Sequence, residues 1–259
     1  MTRQVLIMDR QDLIREFHET MKFSNCLELQ ETHVYTEEEL ENIKLAVLNK
    51  NNTCTSNYSD TVEAILDSDG YVAALNFADG YTPGGMILDG AKTQEESLCR
   101  SSNLYHSLTS NKCKKMYYDY NKNNREFSSG KSSDRIIYTK NVLFFRDSEL
   151  NWLDESDYKL CDIITCPAPF AGRATEDEIK NRMKNIIKVA EHNRVGVLIL
   201  GCWGCGAFGN DWEYFQKLWS DVLDNVSHNC NIVMATRGKG FNEHTILEAL
   251  RNEQQYYRF

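Results

Sequence analysis

Two adjacent carboxylates, Glu95 and Glu96, are the residues of this 259-residue chain whose types and setting most suggest chemistry. A Pro-Gly-Gly turn precedes them, and its glycines, Gly84 and Gly85, allow a backbone to approach a ligand closely. Paired carboxylates beside such a loop are typical of acid catalysis at a glycosidic bond. The alternative interpretation is a solvated pair of charges in the first turn of a helix.

The two carboxylates are not equivalent. Neighbouring positions on a helix point about 100° apart, so Glu95 and Glu96 cannot both face one bond equally. We therefore expect one to position sugar hydroxyls and the other to transfer the proton. A helix N-terminus favours the ionised carboxylate, whereas a general acid needs a raised pKa. Burial or a neighbouring negative group, such as a substrate diphosphate, would supply that rise.

A second glycine-rich loop, residues 201–210, directly follows the apolar strand predicted at 195–200. Its glycines can expose consecutive backbone amides as a site for an anion, and in open α/β sheets ligands bind beyond the carboxyl ends of strands. The first glycine loop follows the strand predicted at 71–77. If these two strands are parallel, one ligand carrying a sugar and a diphosphate can bridge both loops. The alternative is that both loops are merely tight connections.

Other fingerprints in this region are weak. The segment from Gly204 to Gly209 matches Gly-x-Gly-x-x-Gly, but it lies late in the chain and no acidic residue follows on a strand to hold a ribose. The sequence contains no P-loop. Cys202 and Cys205 spell Cys-x-x-Cys without a second pair at the spacing of a metal site. We therefore expect neither a metal nor a cofactor.

Alternating strands and helices predict an α/β architecture with helices on both faces of a parallel or mixed sheet. Residues 1–60 are predicted to form a helical extension that packs on a core formed by residues 61–259. The ranges expected to be strands are 71–77, 136–138, 142–145, 160–166, 195–200 and 232–235. The segment 93–109 is expected to be one helix, 121–133 a mobile polar loop, and 242–251 a last helix.

The bulk composition limits the partners. A net charge of -9 argues against a broad surface for nucleic acid or anionic lipid, although backbone amides can still bind a small anion. The nine cysteines are an odd number, and the sequence shows neither a secretory segment nor an apolar run long enough to span a membrane. A cytoplasmic protein with reduced thiols is expected, a nuclear location is compatible with the same features, and a monomer is the expected state.

Several separated motifs resemble one known family, the microbial-type (bacterial-type) poly(ADP-ribose) glycohydrolases of the macrodomain superfamily. That family carries Gly-Gly-Gly followed after a short loop by Gln-Glu-Glu, and here seven residues separate Met86 from Gln94. The resemblance covers roughly residues 60 to 235. The motifs that carry it are Asn76-Phe77-Ala78, Pro83-Gly84-Gly85, the segment from Gln94 to Arg100, Leu104-Tyr105, the segments 138–146 and 163–169, and the segment from Leu200 to Asn210.

The resemblance implies a macrodomain-like three-layer α/β/α fold with a central mixed sheet. It also implies hydrolysis of the ribose–ribose O-glycosidic bond of poly(ADP-ribose), including polymer attached to proteins, with release of ADP-ribose. Glu96 is then the general acid, and Glu95 holds the hydroxyls of the distal ribose. The substrate-binding residues implied are Asn76, Gly84, Gly85, Met86, Gln94, Gly204, Cys205, Gly206, Ala207, Phe208 and Gly209. Of these, Asn76 and Phe208 would contact the distal ribose, and the segment from Gly204 to Gly209 would wrap the diphosphate.

One residue departs from the family pattern, because Met86 stands where the family has its third glycine. If its side chain points into the site, it narrows the site or abolishes turnover. Two alternatives therefore stay open beside the hydrolase. One is an ADP-ribose-binding module that has lost turnover. The other is an enzyme that removes single ADP-ribose units from protein or nucleic acid.

Overall fold

The computed structural model describes residues 8–45, 53–57, 59–226 and 228–236. The last predicted helix, 242–251, lies outside the described residues. Within these ranges the chain forms one seven-stranded sheet. The strands are β1 (Thr32–Tyr35), β2 (Cys54–Asn57), β3 (Val72–Phe77), β4 (Ile136–Phe144), β5 (Lys159–Cys166), β6 (Val197–Gly201) and β7 (Asn231–Ala235).

The sheet is mixed, as predicted. Its strand order is β1-β4-β5-β3-β6-β7-β2. The two pairings at the β1 edge are antiparallel, and the four others are parallel. A parallel section buried on both faces explains why β3 and β6 are nearly continuous apolar runs.

Helices cover both faces of the sheet. They are α1 (Arg10–Ser24), α2 (Glu37–Asn42), α3 (Thr61–Asp67), α4 (Gln94–Ser101), α5 (Leu104–Leu108), α6 (Asn111–Cys113), α7 (Asp119–Asn123), α8 (Glu176–His192) and α9 (Trp212–Asn225). Along β3, Ala73 and Leu75 join the core beneath α8 and α9, whereas Val72 and Ala74 join the core beneath α1, α3 and α4. This alternation creates two apolar cores and confirms the predicted three-layer α/β/α fold.

The two strands that precede the glycine loops are parallel neighbours. In the register of β3 and β6, Val72 is opposite Val197 and Ala74 is opposite Ile199. Their carboxyl ends, Phe77 and Gly201, therefore open onto the same edge of the sheet. The condition under which one ligand can bridge both loops is met.

The prediction of one helix over 93–109 is wrong. The segment forms α4 and α5, which are separated at Ser102, where the backbone is extended with φ -147° and ψ 179°. Ser102 forms an isolated bridge with Phe144 of β4, and its Oγ accepts a hydrogen bond from the Leu104 amide at 3.2 Å. The tertiary pairing with the sheet interrupts a helical pattern that the sequence continues.

The segment 121–133 is not one polar loop either. Asn121 lies within α7 and is fully buried. Its Nδ2 donates to the Gly80 carbonyl and its Oδ1 accepts from the Ser133 amide, both at 2.8 Å. The segment 121–133 is polar in composition, but the buried Asn121 binds it to the chain just before the first glycine loop through the Gly80 carbonyl.

The description of residues 1–60 as helical has to be corrected. Besides α1 and α2, this part of the chain supplies the strands at both edges of the sheet, β1 beside β4 and β2 beside β7. The predicted pieces 136–138 and 142–145 belong to a single strand, β4, whose register shifts between Thr139 and Val142. The boundary at residue 60 stays a prediction. Among the described helices, none combines the length and the apolar character that a membrane crossing needs.

Candidate active site

Gln94 fixes the start of α4 against the end of β3. Its Oε1 accepts a hydrogen bond from the Phe77 amide at 2.8 Å, and its Nε2 donates to the Leu75 carbonyl at 2.8 Å and to Thr61 Oγ1 at 3.2 Å. Gln94 lines the cavity described below, but its side-chain bonds go to the protein. The structure therefore gives it a role in placing the two glutamates that follow.

Glu95 is buried, with 2% of its surface exposed. Its Oε1 accepts a hydrogen bond from Asn76 Nδ2 at 3.2 Å, and its Oε2 accepts one from the Asp79 amide at 2.7 Å. Burial raises the pKa of Glu95 well above its ordinary range, while these two hydrogen bonds act in the opposite direction. Burial also raises the pKa of the neighbouring Asp79. Glu95 and Asp79 are thus two neighbouring acidic groups that are both largely removed from water.

Glu96 is also buried, and its carboxylate is held at both oxygens. The Met86 amide donates to Oε1 at 2.9 Å, and Thr93 Oγ1 donates to Oε2. The carboxylates of Glu95 and Glu96 both lie against the backbone of Gly85. A Cβ placed on Gly85 would lie 2.6 Å from Glu96 Oε1 and 3.2 Å from Glu95 Oε2.

The Pro-Gly-Gly turn needs its glycines for conformation as well as for space. Gly84 and Gly85 have φ values of +69° and +60°, in the left-handed region that disfavours other residues. Met86 differs, because its φ is -100° and its side chain is 58% exposed. The methionine is therefore accommodated without backbone strain, and its side chain faces solvent.

A cavity of about 440 Å³ opens between α3, α4 and the second glycine loop. The sequence predicts that the segment from Gly204 to Gly209 binds the substrate, and all of its residues except Gly209 line this cavity. The lining residues are Asp60, Thr61, Val62, Phe77, Lys92, Thr93, Gln94, Ser97, Ala168, Cys202, Gly204, Cys205, Gly206, Ala207, Phe208, Ala235 and Thr236. The glutamates and the Pro-Gly-Gly turn lie outside this lining. Thr93 and Gln94, which precede the glutamates directly in the sequence, belong to it.

The second loop is held in a tight form around Gly204. Gly204 has a φ of +75°, and a Cβ there would lie 2.4 Å from the Ala168 Cβ. Asn210 Nδ2 closes the loop by donating to the Gly204 carbonyl at 3.0 Å and to the Pro169 carbonyl at 2.8 Å. A Cβ on Gly206, in contrast, would meet no atom of the described part of the chain within 4 Å.

Phe208 stands at the edge of the cavity. Its ring stacks on Phe170 with centroids 4.2 Å apart, and its carbonyl accepts a hydrogen bond from the Ala171 amide at 2.9 Å. Phe208 is one of the predicted site residues, whereas nothing in the sequence indicates that Phe170 is its aromatic neighbour. Phe208 gives the cavity an apolar edge, and Phe170 supports its ring from outside the lining.

Three parts of the site were missed in the sequence. The Asp79 amide binds Glu95, Thr93 binds Glu96, and the start of α3 at Asp60–Val62 lines the cavity. Only Thr93 carried a local signal, because Thr-x-x-Glu is a capping pattern. The two others depend on tertiary contacts.

All nine cysteines are described, and none forms a disulfide. Cys202 and Cys205 lie within sulfur hydrogen-bond distance of the Thr236 and Trp203 carbonyls. Across the described ranges, no group of three or more histidine, cysteine or acidic side chains is arranged to hold a metal ion.

The raised pKa of Glu95 predicts a pH-dependent contribution to stability. A carboxyl group whose pKa is higher in the folded state stabilises the fold below its unfolded-state pKa and loses that contribution as pH rises through the folded value. The free energy of unfolding of the wild type, minus that of Glu95→Gln, should therefore fall as pH rises above 4.5, the ordinary value. Urea denaturation of both proteins at a series of pH values between 4 and 8 measures this difference, because each urea transition gives the free energy of unfolding at its pH. A difference that grows with pH would contradict the account.

A three-layer fold with a central mixed sheet, two glycine loops at one edge and a buried carboxylate pair against the first of these loops defines a macrodomain-like α/β protein. The family model for the microbial-type PARG catalytic domain, where PARG denotes poly(ADP-ribose) glycohydrolase, matches residues 3–147. The chain belongs to this family of glycoside hydrolases, as its motifs predicted.

Solved structures of the family agree with the fold. Poly(ADP-ribose) glycohydrolase from Thermomonospora curvata, bound to the inhibitor ADP-HPD, is 24% identical, with 96% of this chain and 100% of that chain covered and a TM-score of 0.72. The enzyme from Deinococcus radiodurans, in complex with ADP-ribose, is 29% identical, with 87% and 95% covered and a TM-score of 0.70. The comparison with curated proteins gave no match.

Proposed function

We propose that this protein hydrolyses the ribose–ribose O-glycosidic bond of poly(ADP-ribose) and releases ADP-ribose, with Glu96 as the general acid. The observation that carries the proposal is the Glu96 carboxylate. It is buried, held by Met86 and Thr93, and placed against the bare backbone of Gly85. Family membership and the ADP-ribose bound to the relative from D. radiodurans support the choice of substrate.

The ligand is proposed to lie along the sheet edge. The cavity takes the ADP part, with the amides between Gly204 and Gly209 around the diphosphate and Phe208 beside the distal ribose. That ribose then lies at Glu95 and Asn76. Asn76 Oδ1 is buried and accepts no hydrogen bond from the described residues, so a ribose hydroxyl would satisfy an acceptor that is otherwise costly to bury.

The proposed reaction keeps its protons in balance. Glu96 donates a proton to the bridging oxygen as the bond from that oxygen to the anomeric carbon of the distal ribose breaks. The resulting oxocarbenium-like centre is stabilised by the nearby diphosphate charge. Water then attacks the anomeric carbon, and Glu96 takes its proton. The products are ADP-ribose and a polymer that is one unit shorter.

An assay of released ADP-ribose tests this function. Wild-type protein is incubated separately with automodified polymer and with protein or DNA that carries single ADP-ribose units, and ADP-ribose binding is measured in parallel. Release from polymer supports the proposal. Saturable binding without release would identify a binding module, and release only from the singly modified substrates would identify a mono-ADP-ribosyl hydrolase. Either result would overturn it.

Replacing Met86 by glycine, the family residue, should change kcat by less than about threefold, because the methionine side chain faces solvent and its φ suits any residue. Steady-state release of ADP-ribose from polymer measures this. Leu88→Gly, at an equally exposed position in the 3₁₀ helix Ile87–Asp89 that directly follows Met86, is the control for added flexibility. A gain of activity well beyond that limit in Met86→Gly alone would show that the methionine obstructs the site.

A cytoplasmic location is proposed for the protein. Nine cysteines without a disulfide, most of them buried, support a reducing compartment.

A further inference from the structure

The pattern Thr-x-x-Glu begins three of the described helices. It occurs as Thr36 with Glu39 at α2, as Thr93 with Glu96 at α4, and as Thr175 with Glu178 at α8. In a capping box the threonine oxygen accepts from the glutamate amide, and the glutamate carboxylate accepts from the threonine amide. The three occurrences allow a comparison within one chain.

At α2 and α8 the box is complete. Thr36 Oγ1 accepts from the Glu39 amide at 3.3 Å, and Glu39 Oε2 accepts from the Thr36 amide at 2.8 Å. Thr175 and Glu178 repeat the pair of bonds at 3.3 and 2.8 Å. In both helices the threonine hydroxyl also lies within hydrogen-bond distance of the same carboxylate oxygen.

At α4 the same residues make a different arrangement. The Thr93 side chain makes no capping hydrogen bond to the helix backbone in the described structure. Its hydroxyl donates to Glu96 Oε2, and Glu96 Oε1 accepts from the Met86 amide instead. The glutamate that would cap the helix is turned toward the Pro-Gly-Gly turn.

We propose that Thr93 is a positioning residue for Glu96, which it holds in the orientation that proton transfer requires. This inference rests on the function proposed above. Two donors at two oxygens fix the plane of the carboxyl group, whereas the Met86 amide alone would leave it free to rotate. A hydroxyl can also donate to a carboxylate and accept from a carboxylic acid, so the contact can persist in both protonation states of Glu96.

The position of Thr93 fits this role. It is exposed and lines the cavity, whereas Glu96 is 3% exposed and does not line it. The hydroxyl therefore connects the ligand cavity with the buried acid. Since it makes no capping bond, the usual contribution of a threonine at this position to helix stability is absent from α4.

Thr93→Val and Thr93→Ser test the inference, with Thr36→Val as the matched control in a complete capping box. The measurements are steady-state release of ADP-ribose from polymer, the Kd of ADP-ribose by calorimetry, and the thermal unfolding midpoint. Thr93→Val should lower kcat by about tenfold or more, because a displaced catalytic group loses its near-attack geometry, with KM and Kd changed by less than about twofold. Thr93→Ser should keep kcat within about threefold of the wild type.

Thr36→Val should show the opposite pattern, a lower unfolding midpoint with unchanged kcat, because it removes a real cap far from the glutamates. Wild-type kcat in Thr93→Val would overturn the inference while the proposed function stands. So would an equal loss in Thr93→Ser, or a loss that follows a fall in stability like that of Thr36→Val. A wild-type protein that binds ADP-ribose without release would overturn the proposed function, and the positioning role with it.

Discussion

Replacing Glu96 by glutamine is expected to abolish the release of ADP-ribose, with a loss of roughly 10²–10⁴-fold, the usual contribution of a general acid. The affinity for ADP-ribose should stay within about tenfold, that is about 1.4 kcal/mol. The amide fills the same space and its oxygen can still accept from the Met86 amide, but it has no acidic proton to donate. Release assays and calorimetry on one protein preparation measure both quantities.

Glu178→Gln is the matched control, since Glu178 occupies the same position of the same motif at α8, on the surface. It should keep wild-type activity. Full activity in Glu96→Gln would contradict the assignment of the acid. Loss of both activity and ADP-ribose binding would instead show that Glu96 is needed to form the binding site.

Replacing Gly85 by alanine should have a comparably large effect. Its φ of +60° is strained for alanine by about 1–2 kcal/mol, and the added Cβ would lie 2.6 Å from Glu96 Oε1. The carboxylates of Glu95 and Glu96 must then move. Because small displacements at a reacting centre can cost roughly 10²-fold, kcat should fall by at least that factor. Kinetics and a thermal unfolding curve together record the result.

Gly70→Ala separates conformational strain from contact with the acid. Gly70 has a φ of +86°, and a Cβ there would meet no atom of the described residues within 4 Å. Gly70→Ala should therefore lose stability through the strain of its φ, as Gly85→Ala does, but it should keep the wild-type kcat. If Gly85→Ala kept kcat as well, the close approach of Gly85 to the two carboxylates would have no catalytic meaning.

The central strands could be predicted because burial on both faces gives them continuous apolar sequences. This held for β3 and β6, and their parallel pairing placed both glycine loops on one edge. The edge strands β1 and β2 were missed. Each spans four residues and carries polar side chains, as in Thr32–Tyr35 and Cys54–Asn57, so neither shows an apolar run or a clear alternation.

The candidate site was predictable where its residues lie close together in sequence. One short segment separates the Pro-Gly-Gly turn from Glu95 and Glu96, and helix geometry alone predicts that the two glutamates are not equivalent. What the sequence concealed are bonds made by backbone groups, such as the Asp79 amide on Glu95 and the Met86 amide on Glu96. Any residue type can supply an amide, so composition gives no sign of such contacts.

The start of α4 shows why local rules fail at a site. Thr93 and Glu96 have the sequence of a capping box that two other helices of the chain complete. At α4 the carboxylate is diverted to the Pro-Gly-Gly turn, and the capping bond of Thr93 is lost. A departure from a pattern that the same chain obeys elsewhere is what a functional site is expected to produce.

A structure of the Glu96→Gln variant bound to a two-unit fragment of poly(ADP-ribose) would test the central claim most directly. The distance to measure joins the Gln side-chain amide at position 96 and the bridging ribose–ribose oxygen. We predict hydrogen-bond distance, about 2.6–3.2 Å, with Glu95 and Asn76 on the hydroxyls of the distal ribose. A bridging oxygen that lies beside Glu95 and out of reach of residue 96 would contradict the account.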